Sequence, residues 1–253
     1  MSTVLVTGGT GALGRHIVES LRARGHEVRV LSRRAGAGTH VGDLSTGAGL
    51  AEAVADAEVI VHAATDSRSL RCPDPGQTEQ LLRVAGQARH LLYVSIVGID
   101  DIPFPYYRSK LACEKLIVDS GVPHTILRAT QFHELLAAAL SVAGKLPIAP
   151  LPLDFRFQPV ATPEVAARVA ELADGEPMGR AADFGGPEVL TLEESVRVWR
   201  AAHGVPRGTV RLPLPGRVAS AFRRGVNTCP DHRDGTVTFA RYVAANEGNP
   251  YAR

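Results

Sequence analysis

Tyr106 and Lys110 stand four residues apart in Tyr-Tyr-Arg-Ser-Lys, inside a stretch whose pattern predicts a helix over Tyr106 to Ser120. That separation is about one helical turn, so the two side chains share a face. A lysine ammonium beside a phenol stabilises the phenolate and lowers the tyrosine pKa toward working pH, which suits a general acid or base. Ser95 closes the preceding predicted strand, Leu91 to Ser95, and its hydroxyl can hold a substrate carbonyl oxygen from the other side. Such a trio can deliver a proton to an oxygen while hydride reaches the neighbouring carbon. On an isolated helix the same spacing usually marks a solvated face. It gains meaning from what lies upstream.

Upstream, Thr7-Gly8-Gly9-Thr10-Gly11-Ala12-Leu13-Gly14 follows an apolar β-branched run and opens a helical pattern. The glycines at 8, 11 and 14 suit a tight turn, close approach of backbone to a pyrophosphate, and close helix–sheet packing. The free N–H groups at the start of the helix, with Thr10, Ala12 and Leu13 around them, complete a phosphate site. The required context of strand, turn, helix and second strand is present, so the motif predicts dinucleotide binding. The end of the second strand selects the cofactor. An NAD site usually carries an acid there. This chain carries Ser32-Arg33-Arg34, whose guanidiniums can grip a 2′-phosphate, and Arg15 adds to the same positive patch. NADP(H) is therefore the expected cofactor. Asp43-Leu44 can flank the adenine, although Asp43 serves equally well as a turn cap. The third strand ends in His62-Ala63-Ala64, with Ala63 and Ala64 expected at the cofactor.

The elements that position these groups alternate. Strands are predicted at Thr3–Val6, Val28–Leu31, Val59–Val61, Leu91–Ser95 and His124–Leu127. Helices are predicted from Leu13 to Gly25, and over Leu50–Ala57, Gln77–Ala88 and Tyr106–Ser120. Alternation of this kind implies an α/β fold, a Rossmann-type doubly wound parallel sheet covered on both faces. Residues 1–145 are assigned to the dinucleotide-binding domain. Residues 146–253 are assigned to a small C-terminal substrate-binding lobe, with a helix at about 163–173 packing back on the sheet. Within the lobe, prolines at 147, 150, 152 and 159 point to a loop or edge hairpin, and Thr191 is a candidate N-cap for a helix over Leu192–His203.

Composition narrows the function classes. A net charge of +2 gives no nucleic-acid footprint, and the longest apolar stretch, Leu135 to Ala143, is too short to span a bilayer. Neither a nucleic-acid nor a membrane partner is expected, only a small-molecule substrate, and oligomeric state is left open. Cys72, Cys113 and Cys229 are few, odd in number and widely spaced, which suits a reducing cytoplasm more than a disulfide framework. Cys229 and His232 have Cys-x-x-His spacing without a second ligand pair, so no metal is expected. No Gly-x-Ser-x-Gly elbow and no P-loop lysine is present, which removes the hydrolase and nucleotide-hydrolysis readings.

The chain resembles the atypical short-chain dehydrogenase/reductases of the NmrA-like NAD(P)-binding group. The resemblance rests on Thr7–Gly14, Val30–Arg34, Gly42-Asp43-Leu44, Val61–Ala64, Tyr93-Val94-Ser95, Tyr106–Lys110 and Leu127 to Phe132. It continues more loosely through Gln158-Pro159-Val160 and Gly185-Gly186-Pro187-Glu188. It implies that Ser95, Tyr106 and Lys110 correspond to the family's Ser-Tyr-Lys site. It also implies that Lys110 holds the nicotinamide ribose, and that the Arg128–Phe132 loop, with Phe132, lies beside the nicotinamide. The implied activity is NADP(H)-dependent hydride transfer to or from a small carbonyl or quinone-like compound. Two alternatives stay open: a redox sensor that acts through a protein partner, and an epimerase or isomerase that keeps its cofactor.

Overall fold

The computed structural model describes residues 1–36, 38–65, 73–203 and 208–246; Cys72 and residues 247–253 of the expected C-terminal lobe lie outside them. In chain order the elements are β1 (Thr3–Thr7), α1 (Ala12–Ala23), β2 (Glu27–Ser32), β3 (Thr39–Val41), α2 (Leu50–Val54), β4 (Val59–His62), α3 (Asp74–Leu82), β5 (His90–Ile96), α4 (Pro105–Asp119) and β6 (His124–Ala129). They continue with α5 (His133–Ala143), β7 (Ile148–Leu151), β8 (Arg156–Phe157), α6 (Thr162–Asp174), β9 (Gly179–Arg180), β10 (Leu190–Thr191), α7 (Leu192–His203), β11 (Gly208–Arg211), α8 (Arg217–Arg224) and α9 (Phe239–Ala245). They fall into two compact units. The first comprises Met1–Ser95, Phe104–Arg128 and Thr162–Ala182; the second comprises Ile96–Pro103, Ala129–Ala161 and Asp183–Arg253.

The first unit is built on a seven-stranded sheet in the order β3-β2-β1-β4-β5-β6-β9. It is a Rossmann-type parallel sheet flanked by helices, as the alternating pattern predicts. Val4 lies opposite Val28 on one side and Val59 on the other, and all three are buried. Strands covered on both faces must be apolar along their length, and β1, β4 and β5 are. Leu5, Ile60, Leu91 and Ile126 join Leu50, Leu81, Cys113 and Ile117 in one core cluster. Val4 and Val6, alternating with Leu5, point to the opposite face. Gly25, at φ +86°, ends α1 in a backbone conformation that a side chain would strain.

The second unit holds two small sheets. Strand β7 pairs in parallel with β11, and β8 pairs antiparallel with β10. The proline-rich stretch is thus edge strand, as expected, but its partners are remote segments and not a hairpin sister. Pro150 sits in β7 opposite Val210, on a two-stranded sheet where a missing N–H is tolerated. Helix α5 covers the apolar Leu135–Ala143 stretch, for which no helix was predicted. Its buried Leu136, Ala137 and Leu140 pack in a core with Trp199 of α7 and Phe239 of α9. Thr191 caps α7 in a reciprocal box: its Oγ1 accepts from the Glu194 N–H at 3.2 Å, and Glu194 Oε2 accepts from the Thr191 N–H at 2.7 Å. The loosely matching segments around Gln158 and Gly186 touch directly. Gln158 Nε2 donates to the Gly186 carbonyl at 2.8 Å, and a Cβ on Gly186 would lie 1.9 Å from the Pro159 oxygen. Cys229 and His232 close a backbone turn, the His232 N–H donating to the Cys229 carbonyl at 2.8 Å. Burial pushes the Cys229 thiol up to about 12. Among the described residues no helix is long and apolar enough to cross a membrane.

One ion pair ties α4 to β6. Arg128 donates to Glu114 through Nε at 2.8 Å and Nη2 at 2.6 Å, and both residues are buried. A buried pair of this kind is costly to break and much less costly to replace whole. Glu114→Leu should therefore lower unfolding stability by about 3–5 kcal/mol, while Glu114→Leu with Arg128→Met should recover most of the loss. Urea unfolding of the two variants checks this; equal losses in both would mean that packing, not an abandoned guanidinium, carries the effect.

Candidate active site

The turn after β1 is shaped by backbone crowding. A Cβ on Gly8, which has φ +72°, would lie 2.7 Å from the Ala64 Cα, and one on Gly14 would lie 2.0 Å from the Gly8 oxygen. Those glycines are demanded by the protein's own backbone. Gly11 differs: it is exposed, and a Cβ there would meet only the Gly8 oxygen, at 3.2 Å. No side chain caps α1 at Gly11 and no acid stands in its first turn. The helix therefore presents its first N–H groups and positive dipole end to the surface, with Thr10, Gly11 and Arg15 exposed there. Ala12 is half-buried, and the Leu13 side chain is buried against the core.

Arg33 and Arg34 are exposed after β2, and Ser32 Oγ accepts the Arg34 N–H at 3.1 Å. A depression of about 290 Å³ is lined by Arg33, Val41, Gly42, Asp43, Ala48 and Gly49. It joins the first guanidinium and Asp43 at one site, through the short strand β3 that the sequence reading did not anticipate. Asp43 also caps its own turn, Oδ1 accepting from the Ser45 N–H at 2.8 Å. Leu44, expected beside the adenine, has its side chain in the core beneath. This set of free helix N–H groups, a crowded glycine turn and a cation-lined depression fits a dinucleotide phosphate chain and its adenosine end.

Below the turn runs a buried polar chain. Thr7 Oγ1 lies 2.7 Å from His62 Nδ1, and His62 Nε2 lies 3.1 Å from Thr78 Oγ1. Thr78 gives its one hydroxyl proton to the Asp74 carbonyl at 2.8 Å, so His62 must donate from Nε2 and accept at Nδ1 from Thr7. Thr7 Oγ1 accepts in turn from the Ala64 N–H at 3.3 Å. His62, a candidate for touching the cofactor, thus spends both nitrogens joining β1, β4 and α3. Burial, with the nearby Lys110 charge, pushes its ring down to about 3.

Tyr106 and Lys110 share one face of α4, and Glu114 extends the same stripe by another turn. Lys110 is buried. Its Nζ donates to the Val94 carbonyl at 3.1 Å and stands 4.6 Å from the Tyr93 ring centroid. Burial pulls its pKa below the usual lysine range, and the Asp74 carboxylate is the leading charge that opposes the fall. The next residue along β5 is Ser95, buried, its hydroxyl without a partner among the described residues. Tyr106 is half-buried, with its hydroxyl 3.1 Å from Thr65 Oγ1. Arg128 is strand, not loop, and is committed to Glu114; Phe132 is half-buried at the start of α5. Sequence reasoning passed over Thr65, Asp74 and Glu114. The repeat at 106, 110 and 114 was the available signal for Glu114; Thr65 and Asp74 carried none.

A family model for NAD(P)H-binding proteins matches residues 8–145. The chain belongs to this NAD(P)H-binding family. A relative from Streptomyces griseus, named (4-alkanoyl-5-oxo-2,5-dihydrofuran-3-yl)methyl phosphate reductase, is 30% identical over 242 residues, covering 87% of this chain and 84% of that one. Among solved structures, an NADPH-dependent quinone oxidoreductase from Escherichia coli, complexed with NADPH, aligns with a TM-score of 0.80 at 18% identity, covering 96% and 99% of the two chains. A nucleoside-diphosphate-sugar epimerase from Staphylococcus aureus aligns with a TM-score of 0.78 at 16% identity, covering 96% and 99%. The fold of this NAD(P)H-binding protein is thus one that oxidoreductases and epimerases share.

The neutral, buried ring of His62 has a consequence for stability. Its pKa in the folded chain lies below the ordinary 6.5, so at intermediate pH the unfolded chain binds a proton that the folded chain does not. Its contribution is intact above about pH 6.5 and is lost as pH falls toward 3. His90, which burial pushes down to about 4, acts in the same sense. His62→Gln should flatten the decline in unfolding free energy between about pH 4.5 and 6, by up to ~1.4 kcal/mol per pH unit for one proton. Chemical denaturation at several pH values measures the slope, and an undiminished slope would assign the proton elsewhere.

Proposed function

We propose that this chain is an NADP(H)-dependent oxidoreductase, of the NmrA-like atypical short-chain dehydrogenase/reductase kind, acting on a small carbonyl or quinone-like compound. The observation that carries the reading is the buried Lys110, one turn from Tyr106 and hydrogen-bonded to the carbonyl next to the Ser95 hydroxyl, which has no partner among the described residues. A buried hydroxyl left without a partner is costly, and a substrate oxygen is the kind of acceptor it lacks. Gly8, Gly11 and Gly14, the first turn of α1 and Arg15 would hold the pyrophosphate. Ser32, Arg33, Arg34, Asp43 and the backbone of Leu44 would hold the adenosine end, and Ala63, Ala64 and Lys110 would border the nicotinamide ribose and ring. When bound, the nicotinamide supplies or accepts hydride. In reduction, Tyr106 gives its phenolic proton to the substrate oxygen. The ammonium of Lys110 stabilises the phenolate that remains, and Ser95 orients the oxygen by donating to it. The name of the Streptomyces relative supports a reductase, and that of the E. coli protein supports NADPH with a quinone-like acceptor.

Cofactor choice is tested at the arginines. Replacing Arg33 and Arg34 by Ser should weaken NADPH binding by about 2–4 kcal/mol and leave NADH nearly unchanged, the scale of lost charge-assisted hydrogen bonds. Fluorescence titration with both cofactors reads this directly. Equal losses for the two, or none, would remove the 2′-phosphate role.

The chemistry is tested at the phenol. With NADPH and a panel of aldehydes, ketones and quinones, Tyr106→Phe should bind NADPH normally but turn over about 10²–10⁴-fold more slowly. Full activity of that variant would overturn the site. A wild-type chain that reduces nothing on the panel, yet changes its affinity for a protein partner with NADP(H), would make it a sensor.

A further inference from the structure

Thr65 links the Tyr106 hydroxyl to Asp74. Thr65 follows the His62-Ala63-Ala64 end of β4, Asp74 opens α3, and Tyr106 stands in the first turn of α4. Thr65 Oγ1 donates to Asp74 Oδ2 at 2.5 Å, and the same oxygen lies 3.1 Å from the Tyr106 hydroxyl. A threonine hydroxyl has one proton. With that proton given to the carboxylate, Thr65 can only accept from Tyr106. The order is therefore fixed: the phenol donates to Thr65, and Thr65 donates to Asp74. Asp74 is 3% exposed, so its carboxylate is no solvated surface charge. It is also the leading negative charge acting on the buried Lys110.

Resting on the oxidoreductase reading above, we infer that Thr65 and Asp74 are positioning residues of the Tyr106 site: Asp74 anchors Thr65, Thr65 aims the phenol, and Asp74 balances the charge of Lys110. When Tyr106 gives up its proton, the phenolate needs a donor on the side where it formerly gave one. Rotation of the Thr65 hydroxyl from Asp74 to Tyr106 supplies it, with no bond made or broken beyond the hydrogen bonds. The sign of the charge effect follows from the groups around the pair. Lys110 faces Asp74 from α3, Cys113 and Glu114 from its own helix, Tyr93 from β5 and the neutral His62 from β4, with Glu114 already paired to Arg128. Removing the Asp74 charge favours loss of a proton from Tyr106 directly, and it also weakens the hold of Lys110 on its own. With Lys110 still an ammonium, loss of the like charge therefore moves the Tyr106 ionisation to lower pH.

Two readouts test this. In the free protein, ultraviolet difference titration of phenolate, with Tyr106→Phe as the subtraction reference, isolates the ionisation of Tyr106. Asp74→Asn should move that ionisation down by about one pH unit, within the range for loss of a neighbouring like charge. In turnover with NADPH, the alkaline limb of kcat should move the same way. Thr65→Val keeps the charges and removes the hydrogen bonds. It should lower kcat about tenfold with KM and NADPH affinity unchanged, on the scale of one misaligned catalytic hydrogen bond, and Thr65→Ser should restore it. An unmoved Tyr106 ionisation in Asp74→Asn, or a Thr65→Val enzyme with wild-type kcat, overturns the inference while the effect of Tyr106→Phe on turnover leaves the oxidoreductase reading standing. Full activity of Tyr106→Phe overturns that reading itself, whereas the free-protein titration still reports whether Asp74 governs Tyr106.

Discussion

An ammonium removed from water must be solvated by the protein or give up its proton, and Lys110 sets that demand at the centre of the first unit. Its Nζ donates to the Val94 carbonyl and lies over the Tyr93 ring, and the Asp74 carboxylate is the leading charge that favours the ammonium. Val94 and Tyr93 belong to β5 and Asp74 opens α3, so the charge ties α4 to both elements. The same demand explains a local cluster of polar groups in an otherwise apolar layer. Cys113, next on that helix face, has its thiol pushed up by burial and remains protonated. The cation thus donates to a carbonyl and feels the charge of a carboxylate, and no thiolate takes part.

The turn after β1 solves a different problem, that of bringing three backbone segments within contact distance. Gly8 lies against the Ala63–Ala64 backbone, and Gly14 lies against Gly8. A side chain at either point would collide with that backbone. The buried Thr7–His62–Thr78 chain locks the ends of β1 and β4 to α3, so the turn sits on a rigid floor. Both ring nitrogens of His62 are used, which keeps a polar group in the core without an unmet donor. Fixed backbone N–H groups of this kind would cost no reorganisation if an anion bound there, the physical advantage of a strand–turn–helix in the proposed phosphate role.

The sequence by itself determined the Rossmann sheet, the glycine turn after β1 and the Tyr106–Lys110 face, because each rests on a short-range rule. Parallel strands buried on both sides must be apolar runs, crowded backbone must be glycine, and residues four apart on a helix must share a face. Tertiary structure decided what those rules do not reach. Strand β7 found its partner some sixty positions away in β11, and Gln158 met Gly186, because pairing of remote segments leaves no periodic trace. Leu44 reads like a cofactor neighbour in its motif, yet apolar burial drew its side chain into the core. Helix α5 was hidden because a continuous apolar run looks alike as helix or strand until neighbours cover it. Thr65 and Asp74 are ordinary loop and helix-start residues in the sequence. Thr65 comes to link Asp74 to Tyr106 only when the end of β4, α3 and α4 converge, since a hydrogen bond depends on distance in space and not along the chain.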